Sequence, residues 1–236
     1  TTTLYSSLKA LATEQVNVCT IEDPIEMLEP SFNQMQVNQG IDLGFADGVR
    51  ALMRQDPDII MVGEIRDHDT ANMAIQAALT GHLVLSTLHT NDAPSSLTRL
   101  HDLGIQPFLT SATILGVLAQ RLVRKLCPQC KKQSLINSQE WEHLTFDYIM
   151  AMPEQVYMRV GCEACRQIGY KGRVGIYEFM PISLEAKQKI SAECTLDELR
   201  AQTKKEGIEP LRIAGARKVM EGVTTLEEVL RVVPLT

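Results

Sequence analysis

A short apolar run near the middle of the chain constrains its fold more than any other feature. Residues 59–63, IIMVG, closely follow Pro57 and end at Glu64. A continuous apolar run of this length, with proline on one side and charges on the other, is typical of a strand buried on both faces. Such strands occur in parallel sheets covered by helices, so the run predicts an α/β fold.

Two further runs have the same character. Residues 16–21, VNVCTI, and 82–88, HLVLSTL, are separated from the first run by helical patterns at 45–53 and 67–79. This alternation of strands and helices with short links is typical of a doubly wound parallel sheet, whose crossovers are right-handed. We therefore predict a parallel sheet flanked by helices.

Each predicted strand ends in residues that suit a phosphate or metal site. Glu22, Asp23 and Glu26 follow one strand, Glu64 follows the central strand, and His89 follows the last. Ligands of open α/β sheets bind beyond the carboxyl ends of the strands. Carboxylates gathered there need a cation, which a magnesium-bound phosphate group would supply. The alternative for each residue alone is a solvated surface position.

The opening residues indicate a phosphate-binding loop. The first three residues are threonines, and Leu4, Leu8 and Leu11 follow at helical spacing. Thr1 is either a helix N-cap or the hydroxyl residue that closes a loop of the pattern G-x-x-x-x-G-K-[ST]. The glycines and lysine of that loop are not in this sequence. Under the second interpretation, the chain is truncated just after the lysine of the loop.

Four of the six cysteines form two C-x-x-C pairs. Cys127 and Cys130 make the first pair, and Cys162 and Cys165 make the second. Four thiolates presented this way match a tetrahedral structural zinc site, although the insert between the pairs is longer than in common zinc ribbons. Free or redox-active thiols are the alternative. We favour zinc because paired C-x-x-C motifs are rare by chance in a cytoplasmic chain.

Composition and charge exclude several classes of protein. The 236 residues are 44% apolar and 22% charged, with a formal net charge of -6, which is typical of a soluble globular protein. No apolar run reaches the ~18 residues of a membrane span, and no signal peptide opens the chain. The basic stripe of a nucleic-acid-binding protein is also missing. We therefore expect a cytoplasmic protein with no nucleic-acid partner.

Most of the remaining chain is predicted to be helical. Apolar residues repeat at threes and fours over 109–126, after a break at 105–108. Residues 33–40, by contrast, are polar and predict a turn. Four more helices are expected near the end of the chain, at 183–192, 196–206, 208–221 and 226–232.

Seven blocks of sequence together resemble a known family. They are TTTLYSSL, TIEDPIE, RQDPDIIMVGEIRD, TGHLVLSTLHTNDA, AQRLVRKLCPQC, CEACRQIGYKGRVGIYE and GVTTLEEVLRVV. The chain resembles, over essentially its whole length, the hexameric ATPases of type II secretion and type IV pilus assembly, within the RecA-type P-loop NTPases. The resemblance implies a RecA-type ATPase core without its Walker A loop at 1–126, a tetracysteine zinc-binding subdomain at 127–180, and a C-terminal helical subdomain at 181–236.

The resemblance also implies roles for the residues at the predicted sheet edge. Glu26, in the Asp box, corresponds to the glutamate that orients or activates the attacking water. Glu64 corresponds to the Walker B glutamate near magnesium, although Gly63 stands where many P-loop enzymes carry an aspartate. In the His box, His89 is expected near the γ-phosphate, and His82 at the strand start is expected to bind the nucleotide.

Two further sets of residues acquire roles from the same resemblance. Thr1 resembles the Walker A hydroxyl residue that binds magnesium, and Thr2 is expected to contact the nucleotide as well. The four paired cysteines resemble the zinc motif of secretion and pilus-extension ATPases. Because that motif is absent from retraction ATPases, it argues against retraction.

The family implies a motor with ATP, Mg²⁺ and Zn²⁺ as cofactors. Such a motor is a homo-hexamer at the cytoplasmic face of the bacterial inner membrane, held there only through platform proteins of the secretion or pilus machine. ATP hydrolysis would drive protein secretion or pilus assembly, and this chain alone is expected to be inactive. The alternatives are a nucleic-acid-translocating motor and a non-catalytic, zinc-containing docking module.

Overall fold

A computed structural model describes residues 2–191 and 194–233 of the chain. The helices within these residues are α1 (Thr2–Leu11), α2 (Phe45–Leu52), α3 (His68–Leu79), α4 (Pro94–Asp102), α5 (Pro107–Thr113), α6 (Ser138–Leu144), α7 (Leu184–Ser191), α8 (Leu196–Lys205), α9 (Leu211–Met220) and α10 (Leu226–Val232). The strands are β1 (Val18–Glu22), β2 (Asn33–Gln36), β3 (Ile59–Val62), β4 (Leu83–Ser86), β5 (Gly116–Leu126), β6 (Lys132–Ser134), β7 (Val156–Met158) and β8 (Tyr170–Pro181). None of these helices is both long and apolar enough to cross a membrane.

The chain divides into two compact units. The first unit consists of Thr1–Thr90, Ser96–Leu115 and Ser183–Leu196, and the second of Asn91–Ser95, Gly116–Ile182 and Asp197–Thr236. The division into three parts after residues 126 and 180 is a different partition of the chain and stays a prediction.

The inner strands of the first unit form the predicted parallel sheet. Its order is β2-β1-β3-β4, and each neighbouring pair is parallel. All residues of β1 and β3 are buried, as expected for continuous apolar runs. The predicted α/β class with a parallel sheet flanked by helices is therefore confirmed, and the carboxyl ends of β1, β3 and β4 lie at one edge of the sheet.

The edge strand β2 differs from the sequence prediction. Residues 33–40 are predicted to be a turn, yet the first four pair with β1 from Cys19↔Asn33 to Glu22↔Gln36. Side chains of this strand are exposed or half-buried, because it lies at the border of the sheet. An edge strand therefore lacks the apolar run by which the inner strands are recognised.

Helices cover both faces of the sheet in the first unit. On one face, Tyr5 and Leu8 of α1 are buried against β1 and β3. On the other face, Val49 of α2 packs in a cluster with Ile21 and other residues of the sheet. Gly48 permits this close approach, because a Cβ atom there would lie 2.7 Å from Ile21 Cδ1. The helices leave the carboxyl ends of the strands free to form a site.

The helix predicted at 109–126 is wrong beyond residue 113. The helix α5 begins at Pro107, within the predicted break, since proline suits the first turn of a helix. Gly116–Leu126 is instead the strand β5, which pairs antiparallel with β8. Leu118 and Leu122 are exposed on one face of this ribbon, whereas Ala119 and Val123 are buried on the other. Apolar residues on both faces of a strand imitate the spacing of a helix.

A buried carboxylate joins α10 to β5 in the second unit. The Glu228 side chain is fully buried, with Oε2 2.6 Å from Arg124 Nη2 and Oε1 2.8 Å from Arg231 Nη2. It also accepts the backbone N–H of Arg124 at 3.0 Å. Burial is the largest single effect and opposes ionisation, but these donors together lower the pKa of Glu228 to about 2. The ion pairs therefore stabilise the folded state at every pH above the unfolded pKa of this group.

We expect Glu228→Gln to lower the free energy of unfolding by about 2 kcal/mol at pH 7. This is less than the pKa shift of Glu228 alone implies, because solvent screens the charges of the partly exposed arginines. Because the folded pKa is depressed, the difference between wild type and variant should shrink as the pH falls from about 5 towards 2. Urea unfolding followed by circular dichroism at several pH values measures this difference. Glu227→Gln is the control, because the Glu227 side chain is 67% exposed. A difference that is constant with pH would contradict the assignment.

Candidate functional site

Glu64 and His89 lie together at the carboxyl edge of the sheet. Glu64 follows β3 and His89 follows β4, and Glu64 Oε2 is 3.4 Å from His89 Nε2. The Glu64 side chain is 14% exposed and that of His89 is 86% exposed. A half-buried carboxylate next to an accessible imidazole suits a site that receives a ligand from solvent. The structure thus brings together two of the three predicted catalytic residues, whose roles stay predictions.

Backbone pairing beyond the strands explains this arrangement. The N–H of Ile65 donates to the carbonyl of Thr87 at 3.0 Å, and Thr87 Oγ1 donates to the carbonyl of Gly63 at 2.7 Å. These bonds continue the contact of β3 with β4 as far as the residues next to Glu64 and His89. The turn after each strand is therefore held by its neighbour.

The glycine before Glu64 also has a structural reason. A Cβ atom at Gly63 would lie 3.3 Å from the carbonyl oxygen of Ile21 and 3.5 Å from the Cα atom of Glu22. An aspartate side chain at this position would therefore crowd the end of β1.

Arg66 is a site residue that the sequence analysis missed. Its Nη2 atom lies 2.5 Å from Glu64 Oε1. The hydrogen bond with Glu64 raises the pKa of Arg66, and the charge of Asp23 adds to this effect. Arg66 stands two residues after Glu64 in the GEIRD block, and this spacing is the signal that was available in the sequence. The guanidinium compensates the carboxylate and links it electrostatically to the loop after β1.

Glu26 lies in the loop that follows β1, which we call the Glu26 loop (residues 23–32). The Glu26 side chain is exposed. The peptide between Asp23 and Pro24 is cis. Because β1 is parallel to β3, this loop leaves the sheet at the same edge as Glu64. The structure supports the predicted edge position of Glu26, while its catalytic role stays a prediction.

The structure gives less information about the three predicted nucleotide ligands, which are Thr1, Thr2 and His82. Thr1 lies outside the described residues. Thr2 is the first residue of α1, is exposed, and its carbonyl accepts a hydrogen bond from Ser6 Oγ at 2.9 Å. His82 precedes β4, and its Nδ1 lies 2.9 Å from the carbonyl oxygen of Ala77 at the end of α3. His82 is therefore at the amino end of β4, and the structure does not bring it together with Glu64 and His89.

The four paired cysteines form a compact sulfur cluster in the second unit. Their Sγ atoms all lie within 4.8 Å of one another. The separations are 3.9 Å for Cys127 and Cys162, 3.9 Å for Cys130 and Cys165, and 3.8 Å for Cys162 and Cys165. Four sulfurs at about 2.3 Å from a tetrahedral zinc ion are about 3.8 Å apart, so the donor set and its spacing fit zinc. All four cysteines are free thiols rather than disulfides.

Backbone groups already favour a thiolate in this cluster. The N–H groups of Cys162 and Gly169 each donate to Cys165 Sγ at 3.2 Å. Burial is the largest effect and opposes ionisation, yet these donors lower the pKa of Cys165 to about 6. Burial instead raises the pKa of Cys130 to about 11. Four adjacent thiolates need a divalent cation, and a complete set of protein ligands is typical of a structural rather than a catalytic zinc site.

Comparison with known proteins gives close relatives. The family described as "Type II/IV secretion system protein" matches residues 1–231. The chain is 79% identical over 236 residues to the type IV pilus assembly ATPase TfpB of Acinetobacter baylyi, covering 100% of this chain and 40% of that protein. It is 51% identical over 232 residues to type II secretion system protein E of Pseudomonas aeruginosa, covering 98% and 46%. The chain thus spans less than half the length of these relatives.

Solved structures agree with the sequence comparison. The pilus retraction motor PilT with bound ADP has a TM-score of 0.70 at 26% identity, with 99% of this chain and 57% of that chain covered. The ATPase DotB of Legionella pneumophila has a TM-score of 0.65 at 25% identity, covering 97% and 55%. Both the family match along nearly the whole sequence and the relatives above 50% identity lead to one conclusion: the chain belongs to the family of type II/IV secretion system proteins.

Proposed function

We propose that this chain provides the catalytic carboxylates of an ATP-hydrolysing motor that drives protein secretion or pilus assembly. The observation that carries the proposal is the contact of Glu64 with His89 and Arg66 at the carboxyl edge of the sheet. Parallel α/β sheets bind ligands at this edge. Membership of the family and the names of the relatives, which include a pilus assembly ATPase, support ATP as the ligand.

The chemistry is transfer of the γ-phosphoryl group to water. This reaction needs little covalent chemistry from the protein, so positioning and charge stabilisation account for most of the rate enhancement. Glu26 would orient the attacking water, and His89 would contact the γ-phosphate. Glu64 and the hydroxyl of Thr1 are oxygen donors of the type that Mg²⁺ prefers. Mg²⁺, when bound, neutralises part of the phosphate charge. Thr2 and His82 stay predicted nucleotide ligands.

The same family membership supports a proposal for the cellular setting. We propose a homo-hexamer in the cytoplasm, at the inner face of the bacterial inner membrane, that works with platform proteins. The tetracysteine cluster supports assembly or secretion over retraction. The relatives by sequence support the same choice, since they are named for pilus assembly and type II secretion.

We further propose that the phosphate-binding loop precedes Thr1 in the intact protein. The 236 residues alone should therefore turn over ATP at least about 100-fold more slowly than the intact protein does. The physical reason is that backbone N–H groups and a lysine of this loop hold the phosphates, and the pattern G-x-x-x-x-G-K-[ST] does not occur in the sequence. Phosphate release measured on the chain and on the intact protein tests this expectation.

Circular dichroism and zinc content serve as controls that the isolated chain is folded. Turnover by the folded chain at the rate of the intact protein would show that the placement of Thr1 beside the phosphates is wrong.

A further inference from the structure

A second buried carboxylate lies at the end of β1, beside the proposed catalytic edge. Glu22 is 3% exposed. Its Oε2 atom accepts a hydrogen bond from Tyr5 Oη at 2.7 Å, and its Oε1 atom accepts from Thr20 Oγ1 at 2.7 Å and Gln34 Nε2 at 3.2 Å. Tyr5 comes from α1, whereas Gln34 comes from the edge strand β2. The carboxylate is thus held by neutral donors from three elements of the first unit.

The protons of this network can be assigned by counting donors. Tyr5 is only 1% exposed, and burial together with the bond to Glu22 raises its pKa to about 12. Its hydroxyl therefore keeps its single proton at neutral pH and donates it to Glu22 over the shortest contact. The two protons of Gln34 Nε2 remain for the carbonyl of Met27 at 2.9 Å and for Tyr5 Oη at 2.9 Å, so the longer contact of this nitrogen with Glu22 Oε1 at 3.2 Å is secondary.

The same network holds the Glu26 loop. The carbonyl of Met27, the residue after Glu26, lies 3.0 Å from Tyr5 Oη as well as 2.9 Å from Gln34 Nε2. Further along the loop, the N–H of Glu29 donates to Gln34 Oε1 at 2.7 Å. Most residues of this loop are exposed. Its position therefore depends on a few hydrogen bonds. Near Glu26, Gln34 Nε2 donates one proton to Met27 and the other to Tyr5 Oη, which orients the amide, and the N–H of Ile25 donates to Gln36 Oε1 at 3.3 Å.

We propose that Tyr5 is a positioning residue for Glu26. It connects α1, which begins at the proposed nucleotide ligand Thr2, to the loop that carries the proposed water-orienting glutamate. The inference rests on the proposed function. A displacement of about 1 Å in a catalytic group can cost about 100-fold in rate, so a hydroxyl that orients the Gln34 amide bound to the Met27 carbonyl has a large effect. Lys9 adds a second link, because its Nζ lies 2.5 Å from Glu29 Oε2.

The test is Tyr5→Phe in the intact protein, which removes one oxygen atom and keeps the ring. We expect kcat for ATP to fall about 10- to 100-fold, while KM and the affinity for a fluorescent ATP analogue change less than about twofold. Loss of packing alone would not separate kcat from KM in this way. Unchanged kcat would overturn the proposal, as would a loss of nucleotide affinity that accounts for the whole effect.

Tyr170→Phe is a matched control in the second unit. Tyr170 is 2% exposed, and its Oη lies 2.7 Å from Thr225 Oγ1. This variant also loses one buried hydrogen bond of a tyrosine and should be destabilised to a similar extent, with kcat within about twofold of wild type. A fall of kcat in Tyr170→Phe equal to that in Tyr5→Phe would assign the loss to general destabilisation and overturn the proposal.

Two more variants keep the result interpretable. If Tyr5→Phe does not fold, Gln34→Met on the half-exposed edge strand removes the amide that donates to Met27 and should show the same separation of kcat from KM. Glu26→Gln distinguishes the proposed catalytic role of Glu26 from the proposed positioning role of Tyr5. Full turnover in Glu26→Gln would remove the proposed catalytic role of Glu26, whereas inactivity of Glu26→Gln with normal kcat in Tyr5→Phe and Gln34→Met would overturn only the positioning role.

A double-mutant cycle tests whether Tyr5 acts through Glu26. Glu26→Asp shortens the side chain by one methylene group and is expected to retain measurable turnover. Because both changes misplace the same carboxylate, adding Tyr5→Phe to Glu26→Asp should reduce kcat by much less than the product of the two single effects. Effects that multiply fully would show that Tyr5 and Glu26 act independently and would overturn the proposal.

Discussion

Glu26→Gln and Glu64→Gln should each reduce steady-state ATP turnover of the intact protein by at least about 100-fold, while nucleotide binding is retained. An amide has nearly the shape of a carboxylate, but it is neutral and a poor proton acceptor. Glu26→Gln would leave the attacking water without its anionic hydrogen-bond acceptor. Glu64→Gln would remove the negative charge that we propose lies next to magnesium, and would also break the ion pair with Arg66.

The assay is phosphate release at saturating ATP, paired with the affinity for a fluorescent ATP analogue. Glu14→Gln is a suitable control, because Glu14 is an exposed carboxylate before β1 and so lies towards the amino end of the strand. Normal turnover in either site variant would remove that residue from the catalytic set. If both variants instead lost nucleotide binding, the carboxylates would be needed for affinity rather than for the chemical step.

Removal of zinc should unfold the tetracysteine region of the second unit. Apparent binding free energies of structural zinc are about 10–16 kcal/mol, which is comparable to the whole stability of a domain. We expect one zinc ion per chain, and we expect Cys162→Ser to lose that ion together with a large part of the melting enthalpy. Metal analysis, thiol titration and calorimetry before and after chelation measure these effects.

Cys194→Ser provides the matched control for this experiment, since Cys194 is outside the sulfur cluster. It should keep a full complement of zinc and a melting temperature close to that of wild type. A protein purified without zinc whose stability is unaffected by chelators and by Cys162→Ser would contradict the assignment. In that case the four thiols would be packing residues or a redox pair.

The sequence predicts the inner part of the fold well because its signals are local. β3 is recognisable from its own apolar run, and the helices at 45–53 and 67–79 are recognisable from their own periodicity. β5 is different, because its apolar residues suit a helix and a strand equally. Its strand conformation is fixed by pairing with β8, for example of Val123 with Val174, about 50 residues further along the chain. Sequence periodicity does not contain that information.

The candidate site shows the same limit. Glu64 and His89 are predictable because each lies within three residues of the end of a strand, and the cysteines are predictable because C-x-x-C is a short motif. Tyr5 and Gln34 are not, since they acquire their roles only where α1 and β2 meet the end of β1. His82 precedes β4, as its place in the sequence predicts, and its role as a nucleotide ligand stays a prediction.

We propose that the carboxyl edge of this sheet surrounds the γ-phosphate of ATP. A crystal structure of the intact protein with Mg²⁺, ADP and a fluoroaluminate ion, which imitates the transferred phosphoryl group, tests this claim most directly. We predict that Glu26 lies within about 3 Å of the in-line water, with Glu64 beside magnesium and its ligands and His89 beside the fluoroaluminate. A nucleotide bound elsewhere, with Glu26, Glu64 and His89 beyond the reach of even one bridging water, would contradict the account.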